Sequence, residues 1–188
     1  MTVQEIFADL SQHMIKGIMI HEQFANYYDF LGLSGYSKCH EYHYLCETAQ
    51  HRKLNRYFIE HFNQLIEEKR VEDPEVIPDG WYRYIRQDVD PATKSNAVKS
   101  GLESWERWET ETKQLYERMY VELFNLGEIA AASLVKEFIC DVNHELKKVQ
   151  KYRLCKTATL YNIEGIISEQ KMKRDKYKCK LSHIGERY

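Results

Sequence analysis

The stretch His40-Glu41-Tyr42-His43-Tyr44-Leu45-Cys46-Glu47-Thr48-Ala49-Gln50-His51 decides how this chain is read. At about 100° per residue, His40, Glu47 and His51 project onto the centre of an apolar stripe made by Tyr44, Leu54, Phe58, Phe62 and Leu65. The spacing predicts a helix that carries two imidazoles and a carboxylate toward a core. Such groups are costly to bury unless they are paired, hydrogen-bonded or bound to a metal. What neutralises them is the functional question.

Working outward, the residues before this stretch also have a helical period. Val3, Phe7, Leu10, Met14, Ile18, Ala25 and Tyr28 share one face of a first helix over about 3–31, with His21, Glu22 and Asp29 within or beside it. Gly32-Leu33-Ser34-Gly35 stops that helix, and Ser34 or Ser37 is suited to cap the next one, over about 37–69. So short a link forces an antiparallel hairpin. Glu22 and Glu47 then stand at one height, and His40 stands near Asp29.

Pro74, Pro78 and Pro91 break the chain around the aromatic run Trp81-Tyr82-Arg83-Tyr84-Ile85, which predicts a long crossover. The helical period returns near residue 92, with Val98, Gly101, Leu102, Trp105, Trp108, Thr112, Tyr116, Met119 and Leu123 inward and Glu109 beside them. After Gly127 a fourth helix buries Ala131, Val135, Phe138, Ile139, Val142, Leu146 and Val149, with Asp141 and Glu145 on one flank. His144 projects to the opposite side, as a surface residue would. The pattern predicts an all-α four-helix bundle over residues 1–153, built as two antiparallel hairpins joined by the crossover. A short C-terminal extension, 154–188, is expected to start helical and end in a mobile, charge-dense tail.

The bulk properties exclude several classes of function. Net charge is -2, with both signs interspersed over 188 residues, so no basic field recruits nucleic acid or an anionic membrane. The basic tail has acids nearby and no aromatic stacking platform, and reads as solvated. No apolar run is long enough to span a bilayer, and the N-terminal MTVQEIFADLSQH lacks the pattern of a signal peptide, so a cytoplasmic location is expected. The five cysteines, Cys39, Cys46, Cys140, Cys155 and Cys179, form no CxxC pair and read as reduced thiols.

Each helix of such a bundle offers an acid: Glu22, Glu47 with His51, Glu109, and Asp141 or Glu145. Oxygen-rich ligands with one or two imidazoles suit iron or manganese better than a soft metal. The competing structural reading pairs these acids with Arg or His, or with inward tyrosines, of which the chain has a large supply.

Over roughly residues 10–150 the sequence resembles the ferritin-like superfamily. Glu22-Gln23-Phe24-Ala25, followed by Tyr27 and Tyr28, resembles the first-helix segment whose glutamate binds iron in bacterioferritins and bacterial ferritins. Glu41-Tyr42-His43 through His51 is similar to the bacterioferritin second helix, with His51 at its iron-binding histidine. Asp141-Val142-Asn143-His144-Glu145 resembles the fourth helix, where Asp141 and His144 match an acid-x-x-His pair and Glu145 matches a ferritin glutamate. The turn from Tyr28 to Glu41 is similar to that of the starvation-protection miniferritins. Two departures stand out. Thr48 occupies the glutamate position of the family's Glu-x-x-His, leaving Glu47 in a Glu-x-x-x-His spacing. Of the miniferritin interface site only His40 remains, because Tyr28 and Tyr44 replace its histidine and aspartate.

The resemblance implies a di-iron site, or another first-row metal such as manganese, held by Glu22, Glu47, His51, Glu109 and Glu145, with Asp141 a further candidate. It implies a ferroxidase-type oxidoreductase that oxidises Fe(II) for storage or detoxification, with Tyr116 as an electron relay. Two other readings remain. One is a non-catalytic bundle with an incomplete site, acting in assembly or partner binding; the other is an oxygenase-type di-metal enzyme. A homo-oligomer is expected, because Tyr57, Trp81, Tyr82 and Tyr84 are aromatic residues for which the core stripes do not account.

Overall fold

The computed structural model of the chain describes residues 1–72, 74, 76 and 89–154. The expectations placed on Trp81, Tyr82 and Tyr84, and on the extension beyond Leu154, lie outside these residues. Four helices follow one another: α1 (Val3–Phe30), α2 (Ser34–Phe62), α3 (Pro91–Asn125) and α4 (Ile129–Leu154). They form an all-α four-helix bundle in which α1 packs on α2 and α3 packs on α4, with α1 also against α3. Among the described residues no helix is long and apolar enough to cross a membrane.

The helix ends follow from local chemistry. Thr2 and Glu5 form a reciprocal capping box at the start of α1, with Glu5 N–H donating to Thr2 Oγ1 at 3.2 Å and Thr2 N–H donating to Glu5 Oε2 at 2.7 Å. Asp90 caps α3 by accepting from the backbone of Ala92 at 2.8 Å and Thr93 at 3.0 Å, and Pro91 takes the first helical position, where its missing N–H costs nothing. Gly32 ends α1 at a left-handed φ of 73°, which lets Leu33 N–H reach back to Tyr28 O at 2.8 Å. The link is so tight that neither serine caps α2: Ser34 is already helical, and Leu33 at the cap has no side-chain bond to give.

Helix α2 stops at Phe62, about two turns before the periodicity predicts. Asn63 adopts the left-handed conformation at φ 52°, and its N–H closes on Ile59 O at 3.0 Å. Leu65, expected on the core stripe, is therefore exposed. The segment that follows is held to α1 instead, with Gln4 Nε2 donating to Leu65 O at 3.3 Å, Gln12 Nε2 donating to Arg70 O at 2.6 Å, and Lys69 paired with Asp9. Tyr57, expected to be free for an interface, is partly buried and stacks on Phe7 at 6.0 Å and on His61 at 3.9 Å, so it packs onto its own bundle.

The apolar interior is in two parts. One cluster gathers Phe7, Leu10, Met14, Leu54, Phe58, Tyr116, Met119, Val135 and Phe138 at the end of the bundle that holds the α3–α4 turn. The other gathers Phe24, Tyr28, Leu31, Tyr36, Leu102, Trp105, Val149 and Tyr152 toward the α1–α2 turn. Between them lies a layer of polar side chains.

Close approach of α1 to α3 depends on Gly101, where a Cβ would overlap the hydroxyl of the buried Tyr28. Helix propensity alone favours alanine there by about 1 kcal/mol, while overpacking costs roughly 1–3 kcal/mol. We expect Gly101→Ala to destabilise the protein in urea unfolding and Tyr28→Phe to recover much of the loss. A Gly101→Ala variant more stable than the parent would show that the helices do not approach this closely.

Candidate functional site

The polar layer draws on all four helices. From α1 come Gly17 and His21, from α2 His40, His43 and Glu47, from α3 Trp105, Glu109 and Thr112, and from α4 Asp141, Glu145 and Lys148. His21, His40, His43 and Glu109 are all buried. His40, His43 and Glu47 share a face because i, i+3 and i+7 do so on any helix.

The buried histidines interlock. His21 Nδ1 and His40 Nδ1 lie 3.0 Å apart, so one donates and the other accepts. His21 Nε2 faces Glu109 Oε1 at 3.7 Å, which favours the tautomer with the His21 proton on Nε2, leaving His40 Nδ1 as the donor. Trp105 Nε1 donates to the same Glu109 oxygen at 2.9 Å. Burial holds His40 and His43 well below the ordinary histidine range, reinforced at His40 by His21 and at His43 by the Lys148 ammonium, so both are neutral at pH 7.

Beside them His43 Nε2, Glu145 Oε2 and Lys148 Nζ form a nearly equilateral triangle. The separations are 3.1 Å from Lys148 to His43, 3.2 Å from Lys148 to Glu145, and 3.1 Å from His43 to Glu145. The ammonium donates to both partners. Burial works against its charge, but Cys39 and Cys46, whose thiolate forms favour the ammonium, and the Glu145 carboxylate outweigh that, and the Lys148 pKa is raised. Its Nζ also lies 5.9 Å from the Trp105 ring and 5.8 Å from that of Tyr42, within cation–π range.

One turn nearer the α3–α4 end lies a group of carboxylates. Part of Glu47 is accessible, but its carboxyl end rests where α1 has only Gly17; a Cβ there would stand 3.2 Å from Glu47 Cδ. Burial raises the Glu47 pKa well above the usual carboxylate range, and Glu109, Glu145 and Asp141 add to the shift. The fully buried Tyr116 hydroxyl, without a hydrogen-bond partner, is pushed up by burial and then by Glu47, Glu109 and Asp141. Asp141 sits at the accessible edge, accepting from Gln50 Nε2 at 3.0 Å, and burial of its inner side raises its pKa.

The expected site residues thus part company. Glu47 and Glu109 face one another across the interior, Glu145 stands with Lys148, and Asp141 lies at the rim. Glu22 is exposed, on the side of α1 turned away from the layer. His51 is half-buried but turned to α1, where its Nε2 lies 2.8 Å from Ser11 Oγ and 3.0 Å from Asn55 Nδ2. Thr48 is exposed and its hydroxyl donates to Tyr44 O, so Gln50, three residues past Glu47, is its inward companion. His40 pairs with His21, whereas Asp29 is exposed. His144 is exposed as expected, bonded to Cys140 O at 2.8 Å. His43 and Lys148 went unnoticed in the sequence. The His40-x-x-His43-x-x-x-Glu47 spacing could have revealed the first; a lysine on a helix flank normally reads as solvated.

This donor set is a poor fit for a pair of iron ions. Among the described residues no three His, Cys, Asp or Glu side chains come together as ligands for one ion. At the height of Glu47, α1 supplies a glycine, the one imidazole beside Glu145 accepts from an ammonium, and that ammonium already neutralises Glu145.

No protein-family model matches the sequence, and no curated protein matches it. Solved structures do. A ferritin of M. penetrans superposes with a TM-score of 0.72 over 89% of this chain and 94% of its own, at 11% identity. The open pore ferritin of the hyperthermophilic archaeon Archaeoglobus fulgidus gives 0.69 over 88% and 94%, at 14% identity. An engineered closed form of the same protein gives 0.68 over 89% and 96%, at 17% identity. The chain has the ferritin fold. Its likeness to these ferritins covers 88–89% of the chain.

Burial of Glu47 has a pH signature. Its pKa is raised on folding, so the folded state binds more protons than the unfolded one once pH exceeds the ordinary carboxylate value of 4.5, and stability falls as pH rises through that window until the folded pKa is passed. His40 and His43 have the opposite sense, losing stability as pH drops below 6.5. We expect Glu47→Gln to raise the thermal midpoint by a few degrees at pH 8, with the gain shrinking as pH approaches 4.5. Equal midpoints for parent and variant at every pH would place the Glu47 carboxyl in solvent.

Proposed function

We propose that this chain uses the ferritin fold without the di-metal centre that the resemblance implies, as a bundle that assembles with further copies of itself. One observation carries the reading: at the bundle centre the chain's own Lys148 ammonium sits between Glu145 and His43, and Gly17 stands where α1 would have to offer a ligand to Glu47. The positions of Glu22 and His51 point the same way. Assembly is supported by Val121, Phe124, Leu126 and Ile129, each about half exposed near the α3–α4 turn, where a lone bundle would leave apolar area in water.

A second reading keeps iron. Glu47, Glu109 and Asp141 interact across the interior, with Tyr116 beside them. Carboxylates held in this way attract a hard divalent cation, and the ferritins with the same fold make Fe(II) the natural candidate, oxidised for storage or detoxification; manganese is the runner-up. Here Glu47 and Glu109 would hold the ion, with Asp141 or Glu145 completing the set. When bound, the metal would supply the redox chemistry, while Tyr116 would keep its proton next to the carboxylates.

Metal analysis separates the two. Protein purified without chelator and exposed to Fe(II) in air is expected to stay empty, with no catalysed oxidation; uptake of about two irons per chain, the stoichiometry of a di-iron bundle, reverses the order of the readings. Light scattering at micromolar concentration tests assembly. We expect a mass above the 22.5 kDa of one chain, reduced by Phe124→Ser with Leu126→Ser at unchanged helicity, whereas a parent that is monomeric under these conditions removes the proposal.

A further inference from the structure

We propose that the cleft between α1, α3 and the segment that follows α2 binds a phosphate monoester, held by Lys16, Arg70 and Arg118 and read by His13. The cleft opens on the flank of the bundle and does not depend on what the bundle centre holds. Its volume is about 460 Å³, within the range of small-molecule sites. Helix α1 lines it with Asp9, Gln12, His13 and Lys16, which share a face because i, i+3, i+4 and i+7 do so on any helix.

The walls are fixed without a ligand. Gln12 Nε2 donates to Arg70 O at 2.6 Å, Gln4 Nε2 donates to Leu65 O at 3.3 Å, and Lys69 pairs with Asp9, so the segment is tied to α1 along its length. Of the two acids that line the cleft, Asp9 is neutralised by that pair, which leaves Glu72 to oppose Lys16, Arg70 and Arg118. Two guanidinium forks match the oxygens of a phosphate in pairs, and the ammonium adds a point charge. Val71 and Leu115, both partly buried, give the organic part of an ester an apolar surface.

His13 supplies the selectivity. Its ring lies flat on Trp108, with centroids 4.3 Å apart, and its Nε2 lies 2.7 Å from Thr112 Oγ1. The Thr112 hydroxyl donates to Trp108 O at 2.9 Å, so its oxygen accepts from His13 Nε2–H. Nδ1 is left with its lone pair, on a ring that lines the cleft. Burial, then Lys16, holds His13 down at about 4, so the ring is neutral at higher pH and Nδ1 takes a hydrogen bond but gives none. Cationic donors beside one fixed acceptor select an anion that still carries a proton. A phosphate monoester, with its second pKa near about 6, is such an anion. Sulfate carries no proton to share and can meet Nδ1 only if His13 itself is protonated.

The probes are phenyl phosphate, inorganic phosphate and sulfate, titrated into the full chain at about pH 6, where a monoester is close to half protonated, and at about 0.15 M salt, which screens diffuse surface attraction. The ring resonances of His13 report binding. We expect phenyl phosphate to shift them saturably, inorganic phosphate to do so more weakly, and sulfate to bind at least about tenfold more weakly than inorganic phosphate, since each unit between the pH and the His13 pKa costs a factor of ten. Arg70→Gln with Arg118→Gln, both at exposed positions, is expected to abolish the shift, and Lys136→Gln on α4 to leave it unchanged. Vesicles containing phosphatidic acid distinguish a lipid headgroup from a soluble ester. Sedimentation with them that the arginine pair controls makes the source a headgroup, and no sedimentation makes it a soluble ester. A His13 ring that neither phosphate shifts, an equal loss in Lys136→Gln, or sulfate bound as tightly as inorganic phosphate overturns the proposal.

Discussion

The ammonium of Lys148, held between Glu145 and His43, brings a positive charge into the polar layer of the bundle. Carboxylates and imidazoles between two apolar clusters need a compensating charge or a proton, since an isolated ion in such a place costs several kcal/mol. This chain uses both devices. Glu145 has an ammonium, whereas Glu47 takes up a proton readily because burial and its acidic neighbours raise its pKa. His40 and His43 remain neutral, and His40 pairs with His21 through their Nδ1 atoms.

That layer explains why the core is divided. The end toward the α1–α2 turn is rich in rings, with Phe24 and Tyr28 stacked on His40, Trp105 edge-on to it and Tyr36 against Tyr28, and the other end is largely aliphatic with Phe7 and Phe58. Large rings suit a region where histidines must be packed as flat bodies, with centroid separations of 4.7–5.4 Å around His40. Small residues occur where a polar group needs room. Gly101 admits the Tyr28 hydroxyl to α3, and Gly17 admits the Glu47 carboxyl to α1. In both cases a side chain from a neighbouring helix takes the space that a Cβ would fill.

Set beside ferritins, the chain keeps the path of the backbone. A fold survives exchange of residues because helix packing depends on apolar stripes and on the lengths of the connections, both of which tolerate wide substitution. A metal site is far less forgiving, since it needs particular donors at fixed distances. Identities of 11–17% are therefore compatible with one architecture and with different occupants of its interior.

Helical period, the glycines at 32 and 127, and the prolines between 74 and 91 were sufficient to specify four helices, two hairpins and their order, because these signals are local and each repeats over many residues. The inward direction of Glu47 and Glu109 was also legible, since rotation about a helix axis can be counted. Three things were not. The end of α2 depended on a left-handed Asn63 that no periodicity encodes. Glu22 lay beside its stripe, where a modest rotation of a helix decides between core and surface, and His51, at the centre of its stripe, turned instead to Ser11 on α1. Lys148 was invisible, because a lysine on a flank is ordinarily solvated, and only the arrival of His43 from a helix more than a hundred residues earlier in the chain makes it an interior charge. Sequence determined which groups face inward on each helix; which of them meet, and therefore whether the centre is closed by a lysine or left open to a metal, was decided by the packing of helices against one another, where ångström distances rather than angular periods govern the chemistry.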